Sequence, residues 1–207
     1  MDARHKRTFR FSMLALCMMS SGALADNAED MARANDLYDA EKMMDAVIIF
    51  RKLATQNYLP AQARLGEILE YTEIDEQAVG WFIMAAAQGD AMAAYGLGKM
   101  YLDGKGIKKD IAQALFWIRY AAEKDQLDAV RVMESAYKKG PASGLGVELD
   151  PKQAQYWETK RIPLETAFQK SRDAKAQPYL KMMYEKQEAL KKELEEAGKY
   201  TVKGQAK

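Results

Sequence analysis

An internal repeat constrains this chain more than any other feature. Trp81 and Trp117 lie 36 residues apart, and each begins a similar phrase rich in alanine and apolar residues. Ala154 and Trp157 repeat the Ala-x-x-Trp spacing 40 residues further on. A fixed period of this length is typical of chains in which short helical units stack on one another.

A second phrase alternates with the first and is centred on Leu65, Leu97 and Met133. Its apolar residues recur at intervals of three and four, which is the period of one helix face. Each unit is therefore predicted to be a pair of helices, the first around one of these residues and the second around a tryptophan. We expect Gly66 and Gly98 to leave room where the second helix crosses the first, and we expect all three tryptophans to be buried.

The best-formed unit identifies a family resemblance. The segment from Ala91 to Ala122 combines Leu97-Gly98, Gly104-x-Gly106 and Ala114-x-x-Trp117, and it closely resembles the Sel-one-like repeat (SLR) family. That family is a longer-looped relative of the tetratricopeptide repeat. The resemblance implies an all-α fold, an α-α superhelix or solenoid of helix pairs. The repeat domain is predicted over residues 26–160, with repeats at about 31–58, 59–90, 91–125 and 126–160.

The repeats depart from the family pattern at three places. The unit at 59–90 has no Gly-x-Gly loop and is expected to make a tighter turn at Thr72–Asp75. Four residues are inserted after Gly140, ahead of the loop of the third unit. Glu134 stands where the other units have a glycine, so we expect looser packing there.

The first 25 residues have the parts of a secretory signal. A basic region at 4–10 precedes an apolar stretch over Phe11–Met19, and Ala23-Leu24-Ala25 provides small side chains for cleavage before Asp26. We therefore expect export to the periplasm of a Gram-negative cell, with cleavage after Ala25. A lipoprotein anchored through Cys17 is the alternative, but Leu16 occupies the position where a lipobox needs a small residue.

Removal of residues 1–25 would limit the available chemistry. Cys17 is the only cysteine and His5 the only histidine, and both lie in this segment. The segment carries four of the 31 basic and one of the 30 acidic residues, so 27 and 29 remain, a net charge of −2. This composition excludes thiol and imidazole catalysis and zinc sites built on Cys or His. We expect no enzyme activity, no cofactor or metal, no nucleic-acid partner and no membrane insertion after cleavage.

The C-terminal part follows a different pattern. Residues 161–198 are predicted to form helices that begin at Pro163 and Pro178. A heptad-like apolar stripe over Leu180–Ala197 predicts either a helix that caps the last repeat or a coiled-coil contact with a partner or a second copy. Residues 199–207 are predicted to be a disordered tail.

The resemblance also implies a binding surface. In tetratricopeptide-type repeats, the first helices of successive pairs line a concave face, here named the first-helix face, and its positions flank the conserved leucine. The corresponding positions are Ala63, Glu67, Glu70, Tyr71, Tyr95, Lys99, Asp103, Arg131, Ser135 and Lys138. Tyrosines between charges of both signs suit an extended peptide or a protein surface. The candidates for partner contact are Glu67, Tyr71, Tyr95, Lys99, Arg131 and Lys138.

The sequence leaves three functions to compare. The first is a scaffold or adaptor that binds another protein, and an ordinary solvated face is the plain alternative to that binding surface. The second is a binder of cell-wall glycan or exported polysaccharide, which would need surface tryptophans. The third is a serine hydrolase acting through Ser135 of a Ser-x-x-Lys motif, but the companion Ser-Asp-Asn and Lys-Thr-Gly motifs are absent.

Overall fold

The computed structural model describes residues 26–196, which form helices and turns with no strand among them. A short 3₁₀ helix, Gly140–Ser143, lies between the seventh and eighth α-helices. The α-helices are α1 (26–39), α2 (Met43–Thr55), α3 (Leu59–Tyr71), α4 (Asp75–Ala87), α5 (Ala91–Asp103), α6 (Ile111–Glu123), α7 (Leu127–Lys139) and α8 (Pro151–Glu196). The predicted all-α class is confirmed. The predicted signal at 1–25 and tail at 199–207 lie outside the described residues.

The helices pack in the predicted pairs. Each helix from α2 to α6 contacts the next one in the chain, which includes the predicted pairs α3 with α4 and α5 with α6, and α3 also contacts α5 directly. The first helices of neighbouring pairs, α3 and α5, therefore lie side by side. Each helix from α2 to α7 contains 13 residues, so the units match in length as well as in spacing. This tandem array of helix pairs is the predicted solenoid.

Local chemistry explains where several helices begin and end. Asp90 and Asp110 cap α5 and α6, since each carboxylate accepts a hydrogen bond from a backbone N–H three residues later, at 2.7 and 3.0 Å. Asp150 accepts bonds in the same way at the start of α8. Gly104 ends α5 with a φ of 75°, a left-handed conformation that glycine adopts without strain.

Gly66 and Gly98 make room between the helices as predicted. The side chains that occupy this room, however, belong to the residues that follow the tryptophans. A Cβ on Gly66 would lie 2.7 Å from the Phe82 ring, and one on Gly98 would lie 2.6 Å from Cγ1 of Ile118. Phe82 and Ile118 are accordingly buried, whereas Trp81 and Trp117 are only half-buried.

The prediction that all three tryptophans are buried is therefore wrong for Trp81 and Trp117 and correct for Trp157. Residues next to each other on a helix point about 100° apart, so only one of two adjacent bulky side chains can face the centre of the pair.

The connections account for the departures between repeats. Only three residues join α3 to α4, as the shortened turn predicts, and Glu73 among them has a φ of 60°. Three of the four residues inserted after Gly140 lie in the 3₁₀ helix, and the fourth, Gly144, ends it. The longer loop after α5 packs closely on α4, because a Cβ on Gly106 would lie 2.4 Å from the backbone of Asp75. This Gly-x-Gly loop thus fastens one repeat to the one before it.

The C-terminal helix differs from the prediction. Pro163 and Pro178 do not begin helices, since both lie inside α8. Each proline removes one backbone hydrogen bond, and the surrounding Ala, Gln, Lys and Glu residues favour helix strongly enough for α8 to continue. The described residues divide into two compact units, 26–158 and 159–196. The described part of the second unit is residues 159–196, all within α8.

Candidate functional site

An ion pair joins two neighbouring first helices on the first-helix face. Lys99 of α5 donates a hydrogen bond from Nζ to Oε1 of Glu70 on α3, over 2.7 Å. Both side chains are partly exposed, so the pair is worth at most about 1 kcal/mol. Its larger effect is geometric, because it fixes the position of a cation between two repeats.

Tyr95 lies beside this pair. The Nζ atom of Lys99 is 5.4 Å from the centre of the Tyr95 ring, within the range of a cation–π contact. Burial raises the pKa of the Tyr95 hydroxyl above its usual value, and the negative charges of Asp128 and Glu70 raise it further. Tyr95 therefore lies close enough to carboxylates from both flanking first helices to sense their charge, and it stays neutral at physiological pH.

Two further candidates on α7 carry acidic neighbours. Arg131 pairs with Asp128 at 2.9 Å, and Lys138 pairs with Glu134 at 2.6 Å. Lys138 also lies 3.8 Å from Glu158. The buried position of Glu134 is thus accommodated by an ion pair with the exposed Lys138. These cations are balanced by acids of the same chain.

Arg64 and Tyr38 also belong to this surface, although neither was predicted as a candidate from the sequence. The guanidinium group of Arg64 lies 4.5 Å from the centre of the Tyr38 ring, and the same group pairs with Glu67 at 2.9 Å. The spacing of three residues between Arg64 and Glu67 was visible in the sequence. The contact with Tyr38 was not, because it joins α1 to α3 across 26 positions.

The remaining positions differ in exposure. Tyr71 is 77% exposed at the end of α3, whereas Ala63 is buried and cannot contact a partner. Ser135 is half-buried within α7, and Asp103 is exposed at the end of α5. The structure thus brings Tyr95 and Lys99 together with Glu70 and places Tyr71 next to Glu70 in the chain. It ties Glu67, Arg131 and Lys138 to acids or bases of their own helices.

A second surface with exposed aromatic rings lies on the second helices. Phe116 on α6 is 56% exposed and contacts Trp117 edge-on, with 5.0 Å between ring centres. Tyr156, one repeat later, is 51% exposed and contacts Trp157 in the same way at 4.9 Å. A shallow groove beside Phe116 is lined by Leu115, Arg119, Tyr120 and their neighbours. Phe116 and Tyr156 each precede the tryptophan of their repeat, so the sequence shows that their positions correspond. The exposure of their rings was not predicted.

Metal binding and membrane insertion each require features that can be sought in the described residues. Within residues 26–196, no group of three or more Asp, Glu, Cys or His side chains is arranged to hold a metal ion. None of the helices in the same range is long and apolar enough to cross a membrane.

The fold and this face define a class of protein, an α-solenoid of short helix pairs with a polar and aromatic first-helix face. The Sel1 repeat family model matches residues 75–90, 91–126 and 136–157. The resemblance to the Sel1-like repeat family is therefore confirmed over these segments. Proteins with such repeats typically mediate protein–protein interactions and are generally non-catalytic scaffolds.

Solved structures support the same assignment. A Sel1 repeat protein from Oxalobacter formigenes is 28% identical, with a TM-score of 0.55 over 64% of this chain and 55% of that one. The protein c5321, a protective antigen present in uropathogenic Escherichia coli strains, displays an SLR fold. It is 33% identical, with a TM-score of 0.56 over 71% of this chain and 35% of that one.

A sequence relative extends the comparison to another organism. An uncharacterized protein of Neisseria meningitidis serogroup B is 32% identical over 112 residues, which cover 54% of this chain and 23% of that protein. This chain therefore spans well under two thirds of the length of each of these three proteins.

Proposed function

We propose that this chain is a periplasmic, non-catalytic scaffold that binds another protein or peptide through its first-helix face. The observation that carries the proposal is the cluster of Tyr95, Lys99 and Glu70 across two adjacent first helices, with the exposed Tyr71 following Glu70 in the chain. Aromatic rings and fixed charges in one place are characteristic of protein interfaces. The secretory signal predicted at residues 1–25 supports the periplasmic location.

The charge of this face narrows the kind of partner. Lys99, Arg131, Lys138 and Arg64 each pair with an acid of the same chain, so an incoming acidic group must compete with Glu or Asp already in place. We therefore expect aromatic and apolar contacts to dominate the affinity. Electrostatics would then set the orientation of the partner.

Tyr71→Ala is the variant that tests the proposal. Because the Tyr71 ring is 77% exposed, its removal leaves the core intact while it removes apolar contact with a partner. Capture of the native periplasmic partner should fall about tenfold or more, which corresponds to about 1.4 kcal/mol. Ile48→Ala is the matched control, since Ile48 is a similarly exposed apolar residue on the second helix α2.

The result has a clear interpretation. Loss of capture with Tyr71→Ala and full capture with Ile48→Ala would support the first-helix face as the binding surface. Equal capture by both variants would contradict it. Circular dichroism of each variant establishes first that the helical content is unchanged.

Binding of a cell-wall glycan is a second candidate, favoured by the exposed rings of Phe116 and Tyr156. Aromatic rings repeated on the second helices of successive pairs suit a ligand that is itself a repeating polymer, since each ring can stack on the apolar side of one sugar. The test is co-sedimentation with purified cell wall. This function requires that Phe116→Ala release the protein into the supernatant and that Tyr71→Ala leave it bound.

A further inference from the structure

Exposed apolar side chains lie along the described part of the second unit. Phe168, Leu180 and Met183 of α8 are 49%, 44% and 48% exposed. At about 100° per residue, these three side chains fall within a sector of roughly 120° around the helix. They form an apolar stripe, here named the α8 stripe, on residues 159–196.

A single helix cannot cover such a stripe by itself. Isolated helices are marginally stable in water, and most of their stability in proteins comes from packing an apolar face against another element. Pro163 and Pro178 weaken this segment further, because each removes a backbone hydrogen bond. The helix 159–196 therefore gains most from an apolar surface of similar length.

The charges of the segment select one arrangement of two such helices. Residues 159–177 contain five basic and two acidic residues, a net charge of +3. Residues 178–196 contain four basic and five acidic residues, a net charge of −1. Two parallel copies would place +3 against +3, whereas two antiparallel copies place +3 against −1 at each end. Like charges across a helix interface are destabilising, and complementary charges fix the orientation of the helices.

We propose that the α8 stripe is the interface of an antiparallel homodimer, with the two-fold axis level with Ala174. In this register Phe168 of one copy lies level with Leu180 of the other, and Asp173 lies level with Lys175. The interface is isologous, so each of these matches occurs twice. This surface is separate from the first-helix face, and the dimer does not depend on partner binding there.

Cysteine cross-linking tests the arrangement directly. Cys17 is the only cysteine, so the full chain with Cys17→Ser has no native thiol. In that background, Glu165→Cys and Met183→Cys would be made as two separate single-cysteine variants. The two positions are 18 residues apart, which is five whole turns, so they lie on the same side of the helix. The antiparallel register places residue 165 of one copy level with residue 183 of the other. Two copies of the same variant would hold their thiols about 27 Å apart, too far for a disulfide.

The expected result is a disulfide dimer that forms only when the two variants are mixed, one of them tagged to distinguish the species by mass. Each variant alone cross-linking with itself would overturn the antiparallel register, since that pattern requires parallel helices. No cross-link in any combination would overturn the dimer itself.

Sedimentation equilibrium provides a second measurement that needs no cysteine. Phe168→Ala should weaken dimerisation about tenfold, whereas Gln177→Ala, on the side of the helix away from the α8 stripe, should leave it unchanged. A monomer at the highest soluble concentration of the unmodified chain would overturn the proposal. Circular dichroism of both variants checks that α8 is still helical.

Discussion

At the scale of single residues, Phe82 is the clearest example of how these repeats pack. Its ring is fully buried between Gly66 on α3 and Gly96 on α5, and a Cβ at either glycine would lie within 2.7 Å of it. One side chain thus joins a helix pair to the next. Trp81, the larger neighbour that marks the repeat in the sequence, remains half-buried.

This arrangement predicts different costs for two aromatic truncations. Phe82→Ala empties a fully buried site and should lower the free energy of unfolding by about 3–5 kcal/mol. Trp117→Ala should cost roughly half as much, because part of its ring already contacts water. Urea denaturation of both variants measures the difference. If Trp117→Ala costs as much as Phe82→Ala, the partial exposure of Trp117 is wrong.

A pair of glycines provides a matched test of close packing. Gly98→Ala would place a Cβ 2.6 Å from Cγ1 of Ile118 and 3.1 Å from its backbone nitrogen, so we expect destabilisation by about 1–3 kcal/mol. Gly80→Ala, also inside a helix, has no atom within 4 Å of the new Cβ and should stabilise by about 0.5–1 kcal/mol. Thermal melts of the two variants should therefore shift in opposite directions. Shifts of the same sign would show that helix propensity outweighs the contact with Ile118.

At the scale of helices, variants of the ion pair between Glu70 and Lys99 can distinguish its effect on stability from its effect on partner binding. Lys99→Glu alone should cost up to about 1 kcal/mol of stability, since it removes the pair and sets two carboxylates close together. The double variant Glu70→Lys with Lys99→Glu should recover that stability with its charges reversed. If a partner depends on the original polarity, the double variant is stable and still fails to bind. Denaturant melts and partner capture, both measured on the unmodified chain, the single variant and the double variant, separate the loss of stability from the loss of binding.

The sequence predicts the helix pairs and the small residues between them, because both follow from spacings of three, four and about 36 residues. It does not predict which of two adjacent bulky residues faces inward, as Phe82 and Trp81 show, since both recur with the same period. The ion pair of Glu70 with Lys99 joins positions 29 apart, so no local pattern reveals it. Pro163 and Pro178 are the opposite case, where a reliable local signal for a helix start is overridden.

At the scale of the whole molecule, the expected export leads to a prediction about the first residue of the mature chain. The form recovered from the periplasm should begin at Asp26, because Ala23 and Ala25 provide the small side chains that signal peptidase requires. Intact-mass measurement of that form checks the cleavage site. A lipid-modified species that begins at Cys17 would contradict it and would show that the chain is anchored to a membrane.

The identical length of the six helices from α2 to α7 has a consequence for how such chains can diversify. A duplication or deletion that covers one whole pair preserves the packing at the new junction, because each pair contacts mainly its sequence neighbours. Such an event changes how many pairs line the first-helix face, while a cut inside a pair would leave half of it without its partner helix. Recombination can therefore alter the reach of this surface in steps of one repeat without a new core having to evolve.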